Sequence, residues 1–206
     1  GFVVVSVLAY FNIELSGRVL GVLLIGEVLI VLALDAAVLF SGGGPEGFST
    51  GFADPAQIVS GAPGFAILFA ILSFIGFEAT AVFRDEAKDP NRTIPRATYI
   101  SLISIGVFYA ISSWALISAN GESTVVQTAT DNPGGILSVT TEQYLGTVGG
   151  HIIQVLFATS LFACILSFHN IATRYFYSLS RKGVLAAPLG VAHAKYGSPA
   201  RASLVT

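Results

Sequence analysis

Residues Gly64 to Phe83 read GFAILFAILSFIGFEATAVF, twenty residues with no basic side chain, one carboxylate at Glu78 and a glycine at Gly76 two residues before it. A hydrocarbon core about 30 Å thick takes about 20 apolar residues in a helix, so this stretch is long enough to cross a bilayer. Its centre is the costly part. Gly weakens a helix by roughly 1 kcal/mol relative to Ala, and a charge at mid-depth costs at least about 2.5 to 3.5 kcal/mol unless it faces protein or water. If the helix unwinds at Ser73 to Gly76, free carbonyls on one side of the break and free N–H groups on the other make a polar cradle, of the kind broken helices use to hold charged groups. The other reading keeps the helix whole, with Gly76 permitting close helix packing and Glu78 as a neutral or hydrogen-bonded interhelical contact.

The rest of the chain has the same character. With 53% hydrophobic residues, 11% charged residues and a mean hydropathy of +0.77, it falls among membrane proteins and outside the soluble class. The length criterion marks further spans at Val19 to Phe40, Tyr99 to Ala119 and about Gly149 to Tyr177, and a run too short to cross at Gly1 to Phe11. Backbone polar groups find no water in lipid and period-two alternation is absent, so the fold class is all-α and polytopic. The chain has no methionine, even at position 1, and its first stretch lacks the basic flank and cleavage site of a signal peptide. It is expected to be an internal piece of a longer protein.

The connections separate by charge. Arg18, then Arg84, Lys88, Arg92 and Arg96, then Arg174, Arg181, Lys182, Lys195 and Arg201 all fall on one face if the spans alternate. The positive-inside rule makes that face cytoplasmic, including the loop 84–96 and the C-terminal end. The connections Ser41 to Ala62 and Asn120 to Thr147 carry Glu46, Asp54, Glu122, Asp131 and Glu142 and no Lys or Arg, as expected outside. In the basic turn, Asp89-Pro90 and Ile94-Pro95 end one helix and start the next, with Thr93 as the expected cap.

Other candidates lie in the remaining spans. Glu27 and Asp35 are eight residues apart, within about 80° of each other around a helix, and so suited to one protein-facing side. A carboxyl group inside a membrane helix can exchange a proton, which makes Glu27 a candidate coupling site. The plainer reading sets Glu27 against a serine or a backbone carbonyl and Asp35 near the outer interface. Thr159 and Ser160 are expected to pack or to bond the preceding turn, and His169 and Asn170 to make polar or interfacial contacts. Trp114 reads as a packing or interface residue, on a span that looks like a packing helix. A net charge of −2 leaves no basic surface for nucleic acid, and the single Cys164 excludes an internal disulfide and an all-thiolate metal site. His151, His169 and His193 have no metal-ligand spacing, and hydrolase, zinc-protease and nucleotide-loop motifs are missing, so neither an enzyme nor a cofactor is expected.

Phe74-Ile75-Gly76-Phe77-Glu78, followed by Glu86-Ala87-Lys88-Asp89-Pro90 and Thr93-Ile94-Pro95-Arg96-Ala97, resembles the sixth-to-seventh helix region of amino-acid permeases of the amino acid, polyamine and organocation superfamily. Ser167-Phe168-His169-Asn170 and Arg174-Tyr175, leading to Arg181-Lys182-Gly183-Val184-Leu185, looks like that family's eighth helix and its exit. The likeness covers nearly the whole chain, from the end of helix four to just before helix nine. It implies part of a single transport domain of ten core helices in two inverted repeats, the leucine-transporter-like fold, with Gly64 to Phe83 as one of two broken helices. By that resemblance the carbonyls of Leu72, Ser73 and Ile75 face the substrate α-amino group, Gly76 permits the break, and Glu78 is a coupling or gating carboxylate. Leu72 stands where some relatives present an aromatic to a cationic side chain, which argues against arginine-type substrates. Glu27 falls where several proton-coupled members have a lysine, so lysine-based coupling does not carry over directly. The glycine-rich first broken helix, which would hold the substrate carboxylate, is not in the sequence, and this piece alone is not expected to transport. The implied function is secondary-active amino-acid transport by alternating access in the plasma membrane, coupled to protons or to exchange. Its partners are the amino acid, the bilayer and the remaining helices of the parent chain. A non-transporting amino-acid sensor or partner subunit of the same fold is the alternative.

Overall fold

A computed structural model describes residues 13–77, 89–191, 200–203 and 205. Glu78, Arg84, Lys88 and the expected run Gly1 to Phe11 lie outside the described residues. Within them the regular structure is helical: α1 (Ile13–Phe40), a 3-10 turn (Gly51–Ala53), α2 (Pro55–Ile58), α3 (Pro63–Leu72), α4 (Pro90–Asn120), α5 (Val125–Asp131), α6 (Ile136–Arg181), a second 3-10 turn (Ala187–Gly190) and α7 (Ala200–Ser203). Three helices are long and apolar enough to cross a membrane, namely α4, α6 and the Gly21–Phe40 part of α1. α3 has ten residues, about 15 Å at the helical rise and half of what a bilayer needs.

The helix ends follow from local chemistry. α1 closes by hydrogen bonds from Gly42 N to Leu39 O (3.2 Å) and from Gly43 N to Val38 O (3.0 Å), with both glycines at positive φ, 80° and 90°. This is a Schellman closure, which only glycine adopts without strain at C′. α2 is capped by Asp54, whose Oδ1 accepts from Ala56 N at 2.9 Å. α4 begins at Pro90, earlier than the expected start near Pro95, and Pro95 stays inside the helix. Thr93 is therefore a residue of the first turn and not the cap, its N–H donating to Asp89 O at 2.9 Å. Both prolines follow a polar stretch, and either suits the first helical position; the earlier start adds a turn of hydrogen bonds.

α6 also reaches further than its apolar run. Its first turns occupy residues expected as a loop, and Gly146 (φ 74°, ψ 178°) separates them from the long apolar part. Leu137, Thr141, Tyr144 and Leu145 recur at helical spacing, with Leu137, Tyr144 and Leu145 packed on the core. The hydroxyls of Thr140 and Thr141 donate to Ile136 O (2.8 Å) and Leu137 O (2.7 Å), so these buried polar residues need no water. Hydroxyl-rich composition hides such a helix in sequence.

Two compact units make up the chain, Gly1–Val28 with Val155–Thr206 and Leu29–Gln154, and α1 and α6 each contribute to both. The core of the second unit is Leu34, Val38, Ala115 and Ala119, where the two alanines let α1 and α4 approach closely. Beside it Asp35, 4% exposed, accepts a hydrogen bond from Ser112 Oγ at 2.7 Å, so Asp35 makes an interhelical contact near the end of α1. Ser112→Ala leaves this carboxyl group buried without that donor and costs about 1 to 3 kcal/mol. The full-length protein should lose several degrees of thermal midpoint in detergent. Adding Asp35→Asn should cost less than the sum of the two single changes, and strict additivity would show that the pair is not coupled.

In the first unit, His169 Nε2 lies 2.9 Å from Ser203 Oγ, and both residues are buried near Leu166 and Ala202 in the fold of α6 against α7. Arg181 stands 5.8 Å over the Tyr177 ring at the end of α6.

Candidate functional site

The chain leaves helical geometry where the glycine and serine of the central stretch fall. Ser73 Oγ donates to Phe69 O at 2.8 Å, and Ser73 N donates to the same carbonyl at 2.9 Å in the last full helical bond. Phe74 N to Ile71 O (3.1 Å) and Ile75 N to Leu72 O (3.1 Å) then close tight i−3 turns. Gly76 follows at φ +104°, a region L side chains rarely adopt. A Cβ built on Gly76 meets nothing within 4 Å among the described residues. Among the described residues, then, it is the backbone angle at this position that favours glycine. Phe74 fixes the turn to α4: its ring is edge-on to Tyr109 with centroids 6.2 Å apart, and a Cβ on Gly106 would be 3.5 Å from it.

Of the three carbonyls singled out from sequence, that of Leu72 is occupied by Ile75 N–H. Among the described residues those of Ser73 and Ile75 accept no backbone hydrogen bond, and both residues are exposed. Beside Gly76, in an apolar surround of Leu72, Phe74 and Phe77, these two acceptors are without a backbone donor among the described residues.

Glu27 belongs to the other unit. Its Oε2 accepts from Ser160 Oγ at 3.1 Å, while Oε1 is buried with no partner among the described residues. Thr159 bonds its own preceding turn, at Leu156 O (2.9 Å), but Ser160 reaches across to Glu27 instead. Glu27 and Asp35 both face protein, yet they meet different helices, α6 and α4. Among the described residues no group of three His, Cys, Asp or Glu side chains is placed to hold a metal ion.

Two further carboxylates, read from sequence only as loop charges, tie the loop after α1 to the C-terminal end of α4. Glu122 Oε1 accepts from Ser49 Oγ (2.5 Å), Thr50 N (2.6 Å) and Gly51 N (2.6 Å). Glu46 accepts from Ser123 N (3.2 Å) and, through its other oxygen, from the Ser123 hydroxyl. Trp114 stacks on Phe48 with centroids 5.4 Å apart and donates from Nε1 to Ser49 O at 2.9 Å, so it packs as expected. The available signal was an acidic residue in a loop without Lys or Arg, which must find hydroxyl or N–H donors. Between this loop, α3 and α4 lies a pocket of about 650 Å³ lined by Ser60, Ala66, Ser113, Trp114 and Glu122 among others.

The Ser49 hydroxyl, then the Gly51 N–H, hold the Glu122 carboxyl below its usual range; the Ser123 hydroxyl and N–H do the same for Glu46. A lowered value in the folded state means that the clasp contributes fully above the ordinary carboxylate value of about 4.3 and is lost as pH falls through the lowered values. Trp114 reports it. The emission difference between the full-length protein and its Trp114→Phe variant should stay constant from pH 8 to 5 and shift below about pH 4. A shift between pH 8 and 5 would mean that other groups hold the loop.

These helices define an all-α membrane protein in which one short apolar helix ends at Leu72 and passes into a turn at Gly76. The chain belongs to the amino acid permease family, whose model matches residues 1–206. It is similar to the serine/threonine exchanger SteT of Bacillus subtilis, 29% identical over 116 residues that cover 53% of this chain and 25% of that protein. The branched-chain amino acid permease BcaP of Lactococcus lactis is 24% identical over 185 residues, 83% of this chain and 38% of that protein. The aromatic amino acid transport protein AroP of Escherichia coli is 32% identical over 124 residues, 57% of this chain and 27% of that protein. The chain therefore spans between about a quarter and two fifths of the length of these relatives.

Proposed function

We propose that the protein to which this chain belongs is a secondary-active amino-acid permease of the plasma membrane that works by alternating access. The observation that carries the reading is the helix α3, which stops at Leu72 and is followed by Gly76 at φ +104°, with the Ser73 and Ile75 carbonyls accepting no backbone hydrogen bond among the described residues. Open carbonyls at a helix break recognise a cation in an apolar setting, and the substrate α-ammonium group is such a cation. Residues Leu72, Ser73, Ile75 and Gly76 then form the substrate-binding segment, with Glu78 as a gating or coupling carboxylate and Glu27 as a proton-coupling group. The chain 1–206 is part of a single transport domain, with loop 84–96 and the C-terminal end cytoplasmic. The relatives are named for hydroxylated, branched-chain and aromatic substrates, so family membership does not single out the side chain carried. Leu72 favours an uncharged one.

Uptake of a panel of labelled amino acids by the full-length protein in proteoliposomes, with and without an inward proton gradient, tests this reading. Accumulation that needs the gradient supports proton coupling, and uptake that needs internal amino acid supports exchange. Binding with neither uptake nor counterflow would replace the transporter by a sensor of the same fold.

A further inference from the structure

We infer that Glu122 is a positioning residue that fastens residues 49–51 to the C-terminal end of α4 and so sets where the half-helix α3 begins. Trp114, Ser118 and Glu122 recur every four residues, a spacing that puts Trp114 and Ser118 on one stripe of α4, with Glu122 just beyond the cap Gly121. All three bond the same short segment. Trp114 Nε1 donates to Ser49 O (2.9 Å), Ser118 Oγ accepts from Ser49 N (2.9 Å), and Glu122 Oε1 takes the Ser49 hydroxyl and the next two backbone N–H groups. Both polar groups of the Ser49 backbone are thus satisfied by α4. Three donors on a single carboxylate oxygen form a charge-assisted cradle that a neutral oxygen holds less firmly.

The start of α3 at Pro63 lies twelve positions beyond Gly51, where the cradle ends. Gly51 opens the 3-10 turn Gly51–Ala53, Asp54 caps α2 directly after it, and α3 starts at Pro63. Phe74 pins the other end of α3 to α4 at Gly106 and Tyr109. Phe74, just past α3, is therefore packed on α4, and at the other end Pro63 and Ala66 share a pocket wall with Gly51, Trp114 and Glu122, so the segment that Glu122 fastens lies beside the start of α3. Its effect on transport passes through the placement of α3. That consequence rests on the reading of α3 as part of the substrate site, whereas the fastening itself does not.

The test uses the full-length protein in detergent, with every native cysteine, Cys164 included, replaced by Ser and a reporter thiol introduced by Ser60→Cys in the pocket wall. The rate at which a maleimide alkylates the introduced thiol is compared for Glu122, Glu122→Gln and Glu122→Ala. Gln keeps an acceptor oxygen and loses the charge; Ala loses both. The expected order is Glu122 slowest, Gln intermediate and Ala fastest, about three- to tenfold faster, with Ser49→Ala shifted in the same direction. Equal rates in all four would overturn the fastening. If the Glu122 variants elute as aggregates, Ser49→Ala decides alone, because it removes one hydroxyl from the loop and leaves α4 intact. In proteoliposomes Glu122→Gln should raise the KM for uptake more than it lowers kcat; an unchanged KM beside faster labelling would keep the fastening and sink its role in the site. Graded labelling in a protein that takes up no amino acid would leave the fastening standing and remove the transport reading instead.

Discussion

Gly76→Leu in the full-length permease is expected to lower the initial rate of amino-acid uptake about ten- to hundredfold at matched reconstitution. The native φ of +104° lies where an L residue costs about 1 to 3 kcal/mol, and that energy shifts the break toward a conformation the substrate does not meet. The added side chain has open space among the described residues, so the cost is in the backbone and not in a clash. Gly76→Ala should therefore fail almost as badly as Gly76→Leu. A tolerated Ala beside a dead Leu would restore the close-packing reading of this glycine, and normal uptake by both would remove the break from the substrate site.

Glu27→Gln is expected to reduce proton-driven accumulation to the equilibrium ratio while leaving the protein folded. Gln presents an oxygen to the Ser160 hydroxyl, which now donates to Glu27 at 3.1 Å, so the contact between α1 and α6 survives. What disappears is the carboxyl group on which the proposed coupling role depends. The second carboxyl oxygen is buried without a donor among the described residues, an arrangement that costs free energy unless a proton or a cation occupies it. Uptake measured from pH 5 to 8 decides the matter: the same pH dependence in the parent and Glu27→Gln would make Glu27 a structural contact. Ser160→Ala provides the control, because it removes the contact and keeps the carboxyl group.

The membrane class, the helical fold and the break were legible because each rests on local cost. Twenty apolar residues fit a bilayer, and a glycine two residues before a carboxylate is expensive inside a helix. The first turns of α6 were not legible, since Thr140 and Thr141 satisfy their hydroxyls within their own helix and read as loop composition. The same holds for Asp35, whose partner Ser112 is 77 residues away, and for Ser160, which bonds Glu27 across 133 residues rather than its own turn.

Residue types and spacings shorter than a few turns were enough to mark which segments are apolar enough to enter a membrane, where the central helix must weaken and which family the motifs resemble. The packing of the helices was needed for the rest. It revealed that Gly76 takes a positive φ, that the Leu72 carbonyl is taken while those of Ser73 and Ile75 accept no backbone hydrogen bond among the described residues, and that Glu46 and Glu122 clasp a distant loop. A hydrogen bond between residues about seventy positions apart depends on how the intervening helices pack, and no local preference of either residue encodes it.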